Sequence, residues 1–147
     1  MSVFKLKLDN EQLAEEFFAS SCLLGIVASV KDYQLCWYIN QAMHLHFRVN
    51  NELEIKWMKN KKAAYFTVFE SREITKSAAH YLYNNHYKAE ALLSELKHID
   101  YLWLIKGDYY GTGEIKILLE QVKNVPSVQL VSALDLAEIK NRQNLIF

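Results

Sequence analysis

The sequence predicts a single α+β domain: a mixed but mainly antiparallel sheet with helices packed on it, closing in a C-terminal strand-helix-strand unit. Three observations carry this prediction. Three short β-patterned runs, residues 45–49, 53–58 and 63–69, have Asn50-Asn51 and Lys59-Asn60-Lys61-Lys62 between them, the spacing of an antiparallel meander. Residues 99–105 are apolar on both faces, with Ile99, Tyr101, Trp103 and Ile105 on one and Leu102 and Leu104 on the other, so this strand belongs in the middle of a sheet covered on two sides. A helical period over residues 114–123, stopped by Val125-Pro126, then leads to a further apolar run at residues 128–133. If the strands before and after that helix pair in parallel, the connection is a right-handed crossover.

The remaining elements follow in order. Residues 3–8 alternate apolar and polar, as a half-buried strand does. Asp9 and Asn10 offer caps to a helix over residues 11–19, with Leu13, Phe17 and Phe18 as its apolar stripe. Residues 23–28, with Gly25 among them, read as a buried strand or an extended lead into the next helix. Ser29 and Asp32 have the spacing of a capping box, so that helix should start there and run to about residue 44. Leu35, Ile39, Ala42 and Met43 share its inner face, with Cys36 beside them. Residues 77–84 alternate Ala79, Tyr81 and Tyr83 against His80 and Leu82 and read as a fourth meander strand, although the alanines also suit a helix. Residues 89–97 read as a helix with Leu92, Leu93 and Leu96 inward, and residues 114–123 place Ile115, Leu118, Leu119 and Val122 inward. No repeat or linker divides the 147 residues. A domain of this size buries roughly 68–70% of its unfolded surface, enough for a core without staples.

Seventeen basic and seventeen acidic side chains cancel, so no global field attracts a polyanion or an anionic membrane. Nucleic acid would need a local patch. Cys22 and Cys36 are in neither a CxxC nor a metal-ligand spacing and each lies in an apolar run, which fits small core residues in a reducing compartment. The first ten residues lack the apolar core of a signal peptide, and no window reaches the ~18 uninterrupted apolar residues of a membrane span. The expectation is a soluble, cytoplasmic protein with no membrane partner.

Four places could carry chemistry. Glu95, His98 and Asp100 put two carboxylates and an imidazole within six positions, a set able to act as acid and base if their environments differ. The structural reading of the same residues is a helix start and an anchor: an aspartate at a junction commonly accepts bonds from loop amides. The loop from Gly107 to Gly113 holds three of the four glycines between a strand and a helix, where backbone amides can hold an anion, but it lacks a P-loop Lys-Ser/Thr pair and a complete GxGxxG. Tyr109 and Tyr110 in that loop offer a contact surface. His44 and His46 would share a face of a strand, yet only Glu52 and Glu54 are near in sequence, short of the ligand set a zinc site needs. The run from Lys56 to Phe69 mixes lysines and aromatics and loosely resembles an RNA-stacking strand without its glycines. Lysines at a hairpin tip also protect an edge from aggregation.

Leu93, Ser94 and Glu95, three further residues, then Ile99, Asp100 and Tyr101 resemble the signature of the bacterial IPExxxVDY family of small uncharacterised proteins. Glu95, Asp100 and Tyr101 match as they stand, while Leu93, Ser94 and Ile99 replace the signature's Ile, Pro and Val. Proline in a first helical turn and serine at an N-cap both start helices, so the departure favours a short helix beginning at Ser94. The likeness extends through Lys31 to Asn40, Asp100 to Gly107 and the closing Asn144 to Phe147. It implies a cytosolic bacterial protein and supplies no catalytic residue.

The apolar end, Leu145, Ile146 and Phe147, is expected to dock on its own domain or on a second copy, with a partner's groove as the third choice. The function expected is a non-enzymatic binding or protein-interaction module, with a protein partner or itself as a homodimer. The alternatives are a small-ligand regulatory domain using the loop Gly107 to Gly113 with Glu95 and Asp100, and an enzyme with those carboxylates as acid and base. The interaction candidates are Glu95, Asp100, Tyr101, Gly107, Tyr109 and Tyr110, with no metal or cofactor assigned.

Overall fold

The computed structural model describes residues 11–59 and 61–147, so the strand expected over residues 3–8 lies outside the described residues. Helix α1 (residues 11–17) leads to β1 (Ser21–Ala28) and α2 (Asp32–Met43). An excursion follows through β2 (Arg48–Val49), β3 (Ile55–Lys59), β4 (Lys62–Phe66) and β5 (Val68–Glu73). The chain then forms β6 (Ala78–Asn84), the small pair β7 (His86–Tyr87) and β8 (Glu90–Ala91), β9 (Tyr101–Lys106), α3 (Thr112–Lys123) and β10 (Val128–Leu134).

Six strands form one sheet in the order β10-β1-β9-β6-β5-β2, and every described ladder is antiparallel. Its core, β10-β1-β9-β6 with α2 and α3, has the strand order of a ferredoxin-like, doubly split βαβ arrangement. Helix α2 lies on the path from β1 past β9 to β6, and α3 carries the chain from β9 past β1 to β10. The C-terminal strand-helix-strand unit is present. Its two strands do not pair, because β1 lies between them and is antiparallel to both.

β9 is central, as its apolar faces require, and two cores form on its two sides. Tyr101, Trp103 and Ile105 pack toward Leu35, Cys36 and Ile39 of α2 and Ile115, Leu118 and Val122 of α3. Leu102 and Leu104 face a second core closed by α1, the β3–β4 hairpin, residues 92–99 and the C-terminal segment. Ile99 belongs to this second core, not to the Trp103 face, because it precedes the strand and is out of its alternation. The apolar end docks on its own domain: Leu145 is fully buried, its carbonyl accepts the Tyr83 hydroxyl at 2.8 Å, and the Phe147 ring lies 4.7 Å from that of Tyr81.

Local chemistry explains where the elements depart from expectation. The helix expected over residues 89–97 is β8, an irregular stretch and one 3₁₀ turn at Ser94–Leu96. Asn85 takes the backbone that a helix would need: its carbonyl accepts Leu92 N–H at 2.8 Å and its Oδ1 accepts Leu93 N–H at 2.9 Å. Helix α2 begins at Asp32, with Lys31 as its N-cap, because the Ser29 hydroxyl accepts from Gln129 and does not cap; Gln34 Oε1 accepts Lys31 N–H instead. On α1, Leu13 is exposed while Ala14 and Phe18 are buried, and Ala42 of α2 is exposed.

In the meander, Asn50 caps a 3₁₀ turn at Asn51–Leu53, delaying β3 to Ile55, and only Arg48–Val49 of residues 45–49 pair. The run at 63–69 divides at Thr67: β4 pairs with β3, and β5 joins the large sheet beside β6. Residues 78–84 are strand.

Candidate functional site

Strand β9 separates the sequence candidates into two groups. Asp100 and Tyr101 stand at its N-terminal end and Gly107, Tyr109 and Tyr110 follow its C-terminal end. The seven steps from Asp100 to Gly107, at ~3.3 Å per residue, place them roughly 23 Å apart. The glycine loop and the two carboxylates therefore do not form one site.

At the N-terminal end the groups are anchors. Asp100 Oδ2 accepts Ala28 N–H at 3.0 Å, and its own N–H donates to Ile26 O at 3.0 Å, extending the β1–β9 contact beyond the ladder. The Tyr101 hydroxyl donates to Val30 O at 2.5 Å, and burial, with the charges of Asp32 and Asp100, holds that phenol protonated well above its ordinary range. Both line an open groove of about 640 Å³ with Asp32 and His86. Glu95 is exposed, accepts from Asn141 Nδ2 at 2.9 Å and lies off that groove; His98 is exposed. The acid-base pairing of Glu95 with Asp100 has no common cleft. Asp100→Ala should lower stability by about 1–2 kcal/mol, read by thermal unfolding, since it leaves the Ala28 amide without its acceptor.

The C-terminal end gathers a connected polar cluster. Gly107 has φ +132°, its N–H donates to Ser20 O at 2.9 Å, and a Cβ built on it would lie 2.6 Å from Ser77 O. That close approach presses the loop after β9 onto the β5–β6 turn. Tyr110 then reaches across, its hydroxyl donating to Glu73 Oε1 at 2.5 Å. The same oxygen meets His80 Nε2 at 2.5 Å, and His80 Nδ1 accepts the indole N–H of Trp103 at 3.0 Å. Because the indole is only a donor, Nδ1 carries no proton and Nε2 donates to the carboxylate. His80 is thus a neutral imidazole with both nitrogens committed.

The electrostatics agree with that assignment. Burial lowers the His80 pKa, partly offset by Glu73. Burial alone would raise the Glu73 carboxyl, but the hydrogen bonds from Tyr110 and His80 and the charge of Lys76 bring it below its ordinary value. Lys76 Nζ lies 3.4 Å from Glu73 Oε2 and 4.9 Å from the centre of the Tyr109 ring. Above this cluster is a cleft of about 200 Å³, walled by Tyr109, Tyr110 and Glu114 and floored by Leu45 and Leu118.

The remaining candidates are accounted for locally. Glu114 Oε1 accepts Gly111 N–H at 3.1 Å, so a carboxylate of the chain already stands where an anion would meet the start of α3. His44 is the left-handed C-cap of α2, so it shares no strand face with His46, and no group of three or more metal-binding side chains occurs among the described residues. Lys56 lies over the Tyr65 ring, 5.5 Å from its centre, on the β3–β4 hairpin. Cys22 and Cys36 are free thiols, and burial pushes both pKa values up. No described helix is long and apolar enough to cross a membrane.

Sequence reasoning missed Glu73, Lys76 and His80 and placed Trp103 only in the core. One signal was available: the alternation of residues 77–84 set His80 in phase with Leu82, a polar ring on an inward face. In comparisons with known proteins, no family model, no curated protein and no solved structure matches the chain.

Proposed function

We propose that this chain is a non-enzymatic protein-interaction module that reads its partner with the cleft between the β5–β6 turn and the loop after β9. The observation that carries the reading is the closed set of hydrogen bonds beneath that cleft. His80 offers no free nitrogen, and Glu73 Oε1 accepts two bonds at once. A general base needs a lone pair within reach of substrate, and the imidazole of His80 has none to offer. The cleft's volume, about 200 Å³, is below the ~300–1,000 Å³ of small-molecule pockets and suits one side chain of a partner.

We also propose that the chain is a cytosolic member of the IPExxxVDY family. Two of the segments that resemble it adjoin in space, Asp100 and Tyr101 lining one groove with Lys31, Asp32 and Gln34. The module reading is tested by comparing the proteins, RNA and small molecules captured by the parent and by Tyr109→Ala, with sedimentation equilibrium reporting self-association. A protein, or a second copy, retained by the parent and lost by the variant supports it. A small molecule retained equally by both would refute it.

A further inference from the structure

We propose that the cleft beside Tyr109 and Glu73 receives a primary alkylammonium, the lysine side chain of a partner protein, and that Lys76 occupies the place in the unbound chain. This rests on the interaction-module reading. The Tyr109 and Tyr110 rings stand 5.0 Å apart at 77°, forming a corner with two π faces. Lys76 Nζ sits in it, 4.9 and 6.0 Å from the two ring centres. A cation over aromatic faces and beside a carboxylate is the arrangement by which ammonium groups are recognised.

Three further features fit a lysine guest. The two oxygens of Glu73 have separate duties: Oε1 is held by Tyr110 and His80, while Oε2 faces Lys76 at 3.4 Å. The inner bonds fix the carboxylate, and the outer oxygen is the one a guest would use. Glu114 adds a second negative group to the lining, so the cleft, with Glu73, Glu114 and Lys76, carries a formal charge of −2 + 1 = −1. Leu45 and Leu118 provide apolar floor for an alkyl stem, which a lysine can lay down while its head stays polar. The resident is displaceable: Lys76 is 40% exposed and sits on a single 3₁₀ turn, so it can swing into water without disturbing a strand.

The test is an NMR titration of the full chain with a lysine-containing peptide, the same peptide acetylated on its lysine, and n-butylamine. The parent should bind the unmodified peptide weakly, and Lys76→Met about tenfold more tightly because the resident no longer competes. Adding Tyr109→Ala to Lys76→Met should abolish that gain, and the acetylated peptide should not bind. Lys76→Gln, with its unchanged amide spectrum as the control for folding, should behave like Lys76→Met. Equal or weaker binding by both Lys76 variants, or equal binding of the acetylated peptide, overturns the proposal. Butylamine binding as tightly as the peptide overturns the partner side chain as the source. A partner protein lost on Tyr109→Ala with no response to either Lys76 variant overturns the lysine while the module reading stands.

Discussion

Asn85→Ala should remove about 4 kcal/mol of stability and lower the thermal midpoint by roughly 12 °C. Asn85 is fully buried and every polar atom of its side chain is used. Oδ1 accepts Leu93 N–H at 2.9 Å, while Nδ2 donates to Leu96 O at 3.0 Å and to Ile99 O at 2.9 Å. Its backbone adds bonds to Asp100 O and from Leu92 N–H. Alanine leaves the Leu93 N–H and the Ile99 carbonyl inside the protein without partners, at ~1–3 kcal/mol each before relaxation, while Leu96 O keeps its bond from Ile99 N–H. Asn85→Asp should do no better, because its second oxygen then faces two carbonyls. A melt within 2 °C of the parent would show that the segment from Leu92 to Ile99 is held by its leucines alone.

Gly107→Ala should cost about 3 kcal/mol, from ~1–3 kcal/mol of backbone strain at positive φ together with a clash. The clash is with the backbone: Ser77 O would be 2.6 Å from the new Cβ. No side chain can swing aside to relieve it. The loop should lift from the β5–β6 turn, breaking the Tyr110–Glu73 bond, so solvent exchange of the Trp103 indole proton should accelerate as the midpoint falls. A variant with parent-like stability would mean that the turn and loop are not clamped together.

The large elements were legible because their signals are redundant. Residues 101–106 are apolar on both faces, and a strand of that kind has nowhere to go but the middle of a sheet. Helix α3 has a clean inner stripe and a proline beyond its end. What failed depended on partners distant in sequence. Leu92, Leu93 and Leu96 have helical spacing, but Asn85, seven positions before Leu92, captures their backbone, and no local pattern announces that. The cap at Ser29 failed in the same way, to Gln129, a hundred residues on.

The site was legible in part. Tyr109 and Tyr110 were named from their loop, whereas Glu73 and His80 lie on strands whose neighbours in sequence say nothing of each other. Only the β5–β6 register, placing Ser71 opposite His80 and Glu73 opposite Ala78, brings the carboxylate beside the imidazole. The signature residues misled most. Glu95 and Asp100 are near in sequence, yet one binds Asn141 and the other Ala28.

The pH dependence of stability follows from the same cluster. Both folded-state pKa values are depressed, His80 from its ordinary 6.5 and Glu73 from 4.5. The unfolded chain therefore binds protons first as pH falls, and the stability that the neutral imidazole contributes above about 6.5 declines below that value, with a further loss below about 4.5 as the carboxylate protonates. The decisive measurement is the ring nitrogen NMR of His80 from about pH 8 to about pH 5. Nδ1 should remain an unprotonated acceptor and Nε2 a protonated donor as the pH falls below 6.5, with the Trp103 indole signal unmoved. A His80 that titrates at its ordinary value, with the indole proton released in step, would mean a free acid-base group under the cleft, and a locked binding module would then be the wrong description.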